Sequence, residues 1–499
     1  MMNRKDRFRS NPKHRQDELV RGLRTGFALA CAAVLSACAG FSPDGGMSVV
    51  ADIAGRELDK DAIAIRTPQD ATSVRARVEH LLERPLSADS AVQIALLTNR
   101  GLQAAYNELG VAEAVLVQAS LPPNPSFSFS RIAGPLESAL EARIAANILA
   151  LATLPARAEI AADRFHQAQL RAAEETLRLA AEARRNYYRA VAALELVGFL
   201  TQANSSAEAA AKIGRTLGET GAMNKLDQAR EQVFYADLTT QLARARQRAL
   251  SERERLTRSL GLWGGDLDFK LVSGLPLLSA RPRSGAMVER EAVGRRVDLQ
   301  IARIELEALA KSYGLTNATR FVNLLQLSGI YKDTRENVGD EHVRFLDFGP
   351  AATVEIPIFD LGEARVRQAE QAYMIAVNRL AQRAVAVRSE VRAAYQLYRS
   401  TYDITSHYQR EVLPLRKIIS DESLRRFNTM QIDVFPLLDE ARRRILATSA
   451  AIEAKRDFWI ATTDLQVAIL GGGDTSSLGE SSRPTSELEQ ITTLKETRP

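Results

Sequence analysis

Of the 499 residues only two are cysteines, Cys31 and Cys38, and the second ends the run Leu35-Ser36-Ala37-Cys38. That run closes an N-terminal leader. Residues 1–24 carry eight Lys and Arg against three Asp and Glu, and Gly26–Val34 is a short uncharged apolar stretch. The stretch is too short to span a bilayer, so it reads as the apolar core of a secretory signal. A thiol in a Leu-Ser-Ala-Cys context directly after such a core has the form of a bacterial lipobox, in which Cys38 becomes the acylated first residue of the mature chain. Residue 39 is Ala rather than the Asp that retains lipoproteins at the inner membrane, which points to the outer membrane. The alternative is an ordinary signal cut after Ala37, leaving Cys38 unmodified. With both cysteines in the leader, the body has no disulfide framework and no thiolate metal site.

The remaining candidates are carboxylates. The pattern Leu-Asp-x-Ala-Arg occurs twice, as Leu226, Asp227, Ala229, Arg230 and as Leu438, Asp439, Ala441, Arg442, each just past a polar break in a helical pattern. Glu231, Asp433 and Glu440 fall in the same two stretches. Repeated in several chains around a narrow opening, such carboxylates favour cations and repel anions. At the start of a single helix, an Asp instead caps it or complements its dipole. Both readings stand for Asp227 and Asp439. Met223 and Met430, one at each break, read as packing residues. Nothing points to catalysis: there is no nucleophile elbow and no phosphate-binding glycine loop, and His80, His166, His342 and His407 show no metal-ligand spacing. The expectation is a chain that is not an enzyme and holds no cofactor and no metal.

The elements that position these residues are long helices. Ala, Arg, Glu and Leu dominate and aromatics make up 6%, the composition of coiled coils. A helical pattern runs from Ala156 to Leu217 and another from Glu363 to Arg426, about 93 and 96 Å at 1.5 Å per residue. Pro414 lies inside the second and should kink it. Return helices are predicted over Met223–Leu260 and Val434–Leu470, and leading helices over Asp89–Ser120, with Ser87 as N-cap, and about Ala286–Ala318. Return and leading helices laid end to end would match a long helix. Ala at seam-like spacing (Ala158, Ala161, Ala162, Ala168, Ala172, Ala173) allows helices to join edge to edge into a wall, or to pack as an ordinary bundle. The plan occurs twice, so one fold is built from two repeats rather than three domains. Its parts are a signal (1–37), an N-terminal segment (38–86), a first repeat (87–265), a linker (266–285), a second repeat (286–472) and a tail (473–499) whose Gly, Ser, Thr and charge are those of a disordered segment.

Each repeat also holds two stretches of period-2 alternation, in hairpins at 125–153 and 321–359. Phe127 and Phe129 share a face. So do Leu140, Ala142, Ile144, Ala146, Ile148 and Ala150, opposite Glu141, Arg143 and Asn147. In the second hairpin Leu325, Leu327, Gly329 and Tyr331 form one row, and Val354, Ile356 and Ile358 the other, with Lys332–Glu341 as a polar loop between. Apolar outside and polar inside over about ten residues matches a transmembrane β-strand; a soluble hairpin packed on a helix would alternate too. Four strands cannot close a barrel, so neighbouring copies must supply the rest. The basic pI near 9.2 resides in the leader, since the rest of the chain balances at 58 basic and 58 acidic residues. It gives no support for a nucleic-acid partner.

In their order and duplication, several short motifs resemble the TolC-like outer membrane efflux protein family, in its lipoprotein branch. They are Ala91-Val92-Gln93-Ile94-Ala95-Leu96 with Asn99 and Leu102, Gln118-Ala119-Ser120-Leu121-Pro122-Pro123-Asn124-Pro125, Pro357-Ile358-Phe359-Asp360-Leu361-Gly362, and the turn within Phe427–Arg442. The resemblance covers about residues 86–472. It implies a mainly α fold of long antiparallel coiled-coil helices in a trimeric α-barrel, topped by a β-barrel with four strands from each chain. It implies a homotrimer in outer-membrane lipid, docked to a periplasmic adaptor and an inner-membrane pump of the RND type, and a periplasmic gate near the helix breaks, for which Asp227, Glu231, Asp433, Asp439 and Glu440 are the matching acids. Pro436 stands where members often have an acid, and the usual Gly of the second turn is missing near Met430, so other members' closing salt bridges do not carry over. A periplasmic coiled-coil scaffold lipoprotein without a channel is the competing reading.

If Cys38 is acylated, Cys38→Ser abolishes incorporation of labelled palmitate. Undiminished labelling of that variant would refute the lipobox reading.

Overall fold

The computed structural model describes residues 40–135, 137–338, 341–355 and 358–472. Cys38, the rest of the leader, Ile356 and the tail from 473 lie outside the described residues.

The chain divides into two compact units. The larger one (46–111, 163–310 and 369–499) is helical. Its first elements are α1 (Met47–Leu58) and α2 (Pro68–Leu82), two helices not expected from the sequence. Thr67 and Asp70 close a capping box at the start of α2, and Val50, Ile53, Ala54, Val74 and Val78 are buried in the main core. The stretch between these helices is held by two glutamines. Gln93 accepts from Asp61 N and donates to Asp61 O, each at 3.0 Å. Gln103 accepts from Ile65 N and donates to Ile63 O, each at 2.9 Å. A side-chain amide offers one donor and one acceptor at the spacing of a peptide group, so it can satisfy an extended backbone where no strand is available.

The first leading helix is not one helix but two, α3 (Ala88–Thr98) and α4 (Arg100–Ser120). Asn99 makes the break with a ψ of 116°. Its Oδ1 accepts from Leu102 N at 3.1 Å, and its Nδ2 donates to Ser259 O at 3.2 Å. Its backbone N–H still donates to Ala95 O, so one residue ends α3 and caps α4. Residues 91–97 are buried all round, which marks α3 as a central helix rather than an amphipathic surface one.

After the sheet described below come α5 (Ile148–Ala152), α6 (Leu154–Glu219) and α7 (Lys225–Leu260). In the second repeat α8 (Val288–Arg295) and α9 (Val297–Ala318) again replace a single leading helix. Here the break residue is Arg296, buried at 3% exposure. Its guanidinium donates to Asp298 at 2.8–3.1 Å, to Glu390 at 2.6 Å and to Ala468 O at 3.3 Å. Arg383 donates to the same Asp298 at 2.8 Å. Buried charges are tolerated when each is paired and hydrogen-bonded, as here.

The second long arm is α10 (Glu363–His407), a π turn (Tyr408–Val412) and α11 (Leu413–Asn428), followed by the return helix α12 (Val434–Leu470). The interruption expected at Pro414 takes the form of this π turn. Pro414 lies in the first turn of α11, where its missing N–H costs least, and the extra residue upstream absorbs the mismatch. α6 is uninterrupted over 66 residues, about 99 Å at 1.5 Å per residue.

The smaller unit (1–45, 112–162 and 311–368) contains one antiparallel sheet in the order β1 (Ser126–Ala133), β2 (Glu137–Asn147), β3 (Leu324–Val338) and β4 (Glu341–Glu355). Three boundaries differ from expectation: β4 ends at Glu355, so Ile358 is not a strand residue. β2 ends at Asn147, whose side chain accepts from Ala150 N and starts α5, so Ile148 and Ala150 are not strand residues. Lys332–Val338 and Glu341 belong to strands and not to a loop. Their side chains are polar because of where the strand runs, while their backbone pairs as regularly as the rest.

Candidate functional site

Two places carry candidate function. The first is the sheet. Its register brings residues of all four expected rows onto one face, although the fourth strand runs from Glu341 to Glu355 rather than over the 354–358 stretch. Of that row Val354 alone is a described strand residue, and Ile358 lies past its end. Phe127 pairs with Ile144, Ile144 with Gly329 and Gly329 with Pro350. Phe129 pairs with Ala142, then Tyr331, then Phe348. Leu327 lies between Ala146 and Ala352, and Leu325 opposite Val354. Opposed residues share a face because side chains alternate. Phe127 is 70% exposed and Phe348 84%, so the described residues leave this face uncovered there. From Leu346 to Val354 the apolar row on β4 runs about 26 Å along the strand at 3.3 Å per residue, close to the height of the apolar band of a membrane barrel. It stops at Asp333, Arg335 and Arg344, where Arg344 donates to Asp333 at 2.6 and 2.9 Å.

The other face carries Ser126, Ser128, Ser130, Glu141, Arg143, Gln326, Ser328, Lys332, Thr353 and Asp347, all at the alternate positions of the same register. The two outer strands, β1 and β4, each have a partner on one side only. At the helical end of this unit Gly362 has a φ of 77°, and a Cβ there would lie 2.6 Å from Arg320 O. The Gly that closes Pro357-Ile358-Phe359-Asp360-Leu361-Gly362 is thus required by close backbone approach.

The second place is the pair of turns between long and return helices, in the larger unit. Both are Schellman turns. In the first, Ala222 N bonds Leu217 O and Gly221 N bonds Gly218 O; in the second, Gln431 N bonds Arg426 O and Met430 N bonds Phe427 O. The position that requires a positive φ is Gly221 (75°) in one and Met430 (57°) in the other. Met430 therefore occupies the glycine position itself, 94% exposed.

This alignment fixes the acids. Asn224 and Asp433 are the matching N-caps, and Glu231 and Glu440 each lie seven residues on. The two Leu-Asp-x-Ala-Arg motifs are three residues out of step: Asp227 matches Pro436, and Asp439 falls nearly one turn later. Asp227 is not the cap. Asn224 caps its N–H at 2.9 Å and donates to its carboxylate at 2.7 Å, with Arg230 at 3.9 Å. Asp439 pairs with Arg443 at 2.8 Å. Glu440 is buried and accepts from Arg416 at 2.9 Å, while its Oε1 is buried without a hydrogen bond. Glu231 is buried against Gly214, and burial pushes its carboxyl above the ordinary carboxylate range. Asp433 is exposed and makes no side-chain cap bond. Arg442 stacks over Phe234 at 4.9 Å, a contact between the two return helices that the sequence did not flag. Among the described residues no group of His, Cys, Asp and Glu could hold a metal ion.

Residues 289–428 match the outer membrane efflux protein family. No curated protein matches the sequence significantly. The fold matches the crystal structure of CusC, described as forming a transmembrane channel (17% identity, TM-score 0.65, 77% of this chain and 92% of that one). It matches a membrane protein from Pseudomonas aeruginosa (19%, 0.65, 77% and 92%) and the CmeC outer membrane channel of Campylobacter jejuni (15%, 0.64, 82% and 89%). At these identities the likeness is one of fold.

Because the folded state favours protonated Glu231, its burial costs nothing below the ordinary carboxylate pKa and grows costly as pH rises through the raised value. Glu231→Gln should therefore raise the thermal midpoint at pH 7 and leave it nearly unchanged at pH 4, read by circular dichroism. An equal gain at both pH values would contradict this.

Proposed function

We propose that this chain, whose residues 289–428 belong to the outer membrane efflux protein family, is one protomer of a passive duct through the outer membrane. The observation that carries the reading is the single apolar face shared by four strands whose outer edges are both bare. Among the described residues no helix is long and apolar enough to cross a membrane, whereas a barrel of alternating strands can. In lipid an unpaired strand edge is not tolerated, so β4 of one copy pairs with β1 of the next around a closed ring. Two copies would give eight strands, a barrel just wide enough to fill with its own side chains. Three give twelve and leave an aqueous lumen, which agrees with the trimer that the family resemblance implies.

In this reading the charged helices form a tunnel in the periplasm, and Cys38 anchors each chain to the outer membrane by lipid. The helix-turn ends face a periplasmic adaptor and an inner-membrane pump of the RND type, which hands over small molecules or ions. At those ends Asp433 is the acid best placed to form a ring that favours cations. Asp227, Asp439 and Glu440 are paired within their own chain, and Glu231 is buried against Gly214, so these four are less available to such a ring. A coiled-coil scaffold would have no reason to keep an apolar row in register across four strands.

The face assignment is testable by paired substitutions. Phe129→Arg, on the apolar face, should cost about 2–4 kcal/mol near the bilayer midplane and block assembly in the outer membrane. Ser128→Arg, one residue away on the other face, should assemble normally. Equal tolerance of the two would favour soluble hairpins and the scaffold.

A further inference from the structure

The inner face is polar in the main, with Ile330 half-buried between Arg143 and Gly349, and one row toward the hairpin ends carries two large exposed apolar side chains. Ile132, Ala139, Thr334 and Phe345 are directly opposed on β1, β2, β3 and β4. The next row of the same face toward the helices is Ser130, Glu141, Lys332 and Asp347. Ile132 is 70% exposed and Phe345 48%. The described residues leave most of Ile132 and about half of Phe345 uncovered, on a face that water would wet. Ile132 borders a concavity of about 500 Å³ together with Ser130, Glu137, Glu141 and Lys332, so its side chain stands against open space. The row lies toward the hairpin ends of the strands, remote from the helices.

We propose that Phe345, with Ile132, forms an apolar collar that narrows the outer end of the lumen and limits the size of what passes. The proposal rests on the duct reading above. In a threefold barrel each residue recurs three times at its own height. Twelve strands about 4.8 Å apart give a perimeter of roughly 58 Å and a backbone diameter of about 18 Å, more once the strands tilt. Three phenylalanine side chains pointing inward at one level take up much of that width, and three isoleucines narrow a neighbouring level. Hydrophobic constrictions of this kind gate by excluding water as well as by size. The charged residues to either side, Glu137 on one and Glu141, Lys332 and Asp347 on the other, keep the collar's approaches wet. The collar is therefore a local barrier rather than a plug.

The experiment uses thiol labelling of intact cells. Both native cysteines lie in the leader, so an introduced thiol in the body is unique there. Thr353→Cys lies on the same strand and the same face as Phe345, eight residues nearer the helical end, about 26 Å along the strand. A small methanethiosulfonate reagent should label it. A maleimide carrying a polyethylene glycol chain too large for general porins should label it slowly in the parent and at least tenfold faster with Phe345→Ala, and slower still with Phe345→Trp. Phe348→Ala, on the apolar face, should leave the rate unchanged. Equal rates for the bulky reagent in parent, Phe345→Ala and Phe345→Trp, with normal labelling by the small one, would overturn the collar and leave the duct standing. Failure of the small reagent at Thr353→Cys, with ready labelling of Phe348→Cys in the same cells, would overturn the duct reading and the collar with it.

Discussion

An antiparallel sheet of four strands has two edges, and each edge is a row of backbone donors and acceptors without partners. In water such edges are managed by charge, bulges or cover. In hydrocarbon they are not tolerated, because each unpaired peptide group costs several kcal/mol. This sheet presents a continuous apolar row across its strands on one face, and among the described residues neither edge is paired. The rest of the proposed assembly follows from that constraint: a closed ring of copies, an inner face that is polar because it meets water, and helices kept charged because they never enter lipid.

The two repeats satisfy the same geometry with different chemistry. The break in the leading helix is a neutral asparagine in one repeat, and in the other a buried arginine between Asp298 and Glu390. One long arm is continuous, while the other carries a π turn beside Pro414. One tip turn has glycine where positive φ is required, and the other has methionine, at a backbone cost on the order of 1 kcal/mol or more. The second repeat carries the buried charge pair, the π turn and the positive-φ methionine.

Three strands were legible because an apolar face imposes a strict period of two, and their rows fell into one register. The fourth was expected too late in the chain, since β4 ends at Glu355 and of its expected row only Val354 is a described strand residue. The polar stretch Lys332–Glu341 was misread as a loop. Beyond the apolar band nothing forces alternation between apolar and polar side chains, although the strand continues. The breaks at Asn99 and Arg296 were invisible because each is made by a side chain that bonds a distant carbonyl, Ser259 O or Ala468 O, and such partners leave no local trace. Aligning the repeats by shared residues set the acids three positions out of step, whereas aligning them by turn geometry pairs Glu231 with Glu440. Glu231 was singled out for its charge, yet its burial and raised pKa depend on α7 lying against Gly214 of α6.

The central claim is that copies of this chain close the sheet into a barrel. The most direct measurement is electron microscopy of the mature protein purified in detergent. The account predicts a threefold hollow particle with a helical tube on the order of 100 Å long continuing from one end of a short barrel. A thin monomeric or dimeric rod with no lumen would contradict it, since the four strands would then be soluble hairpins with edges that need no partner.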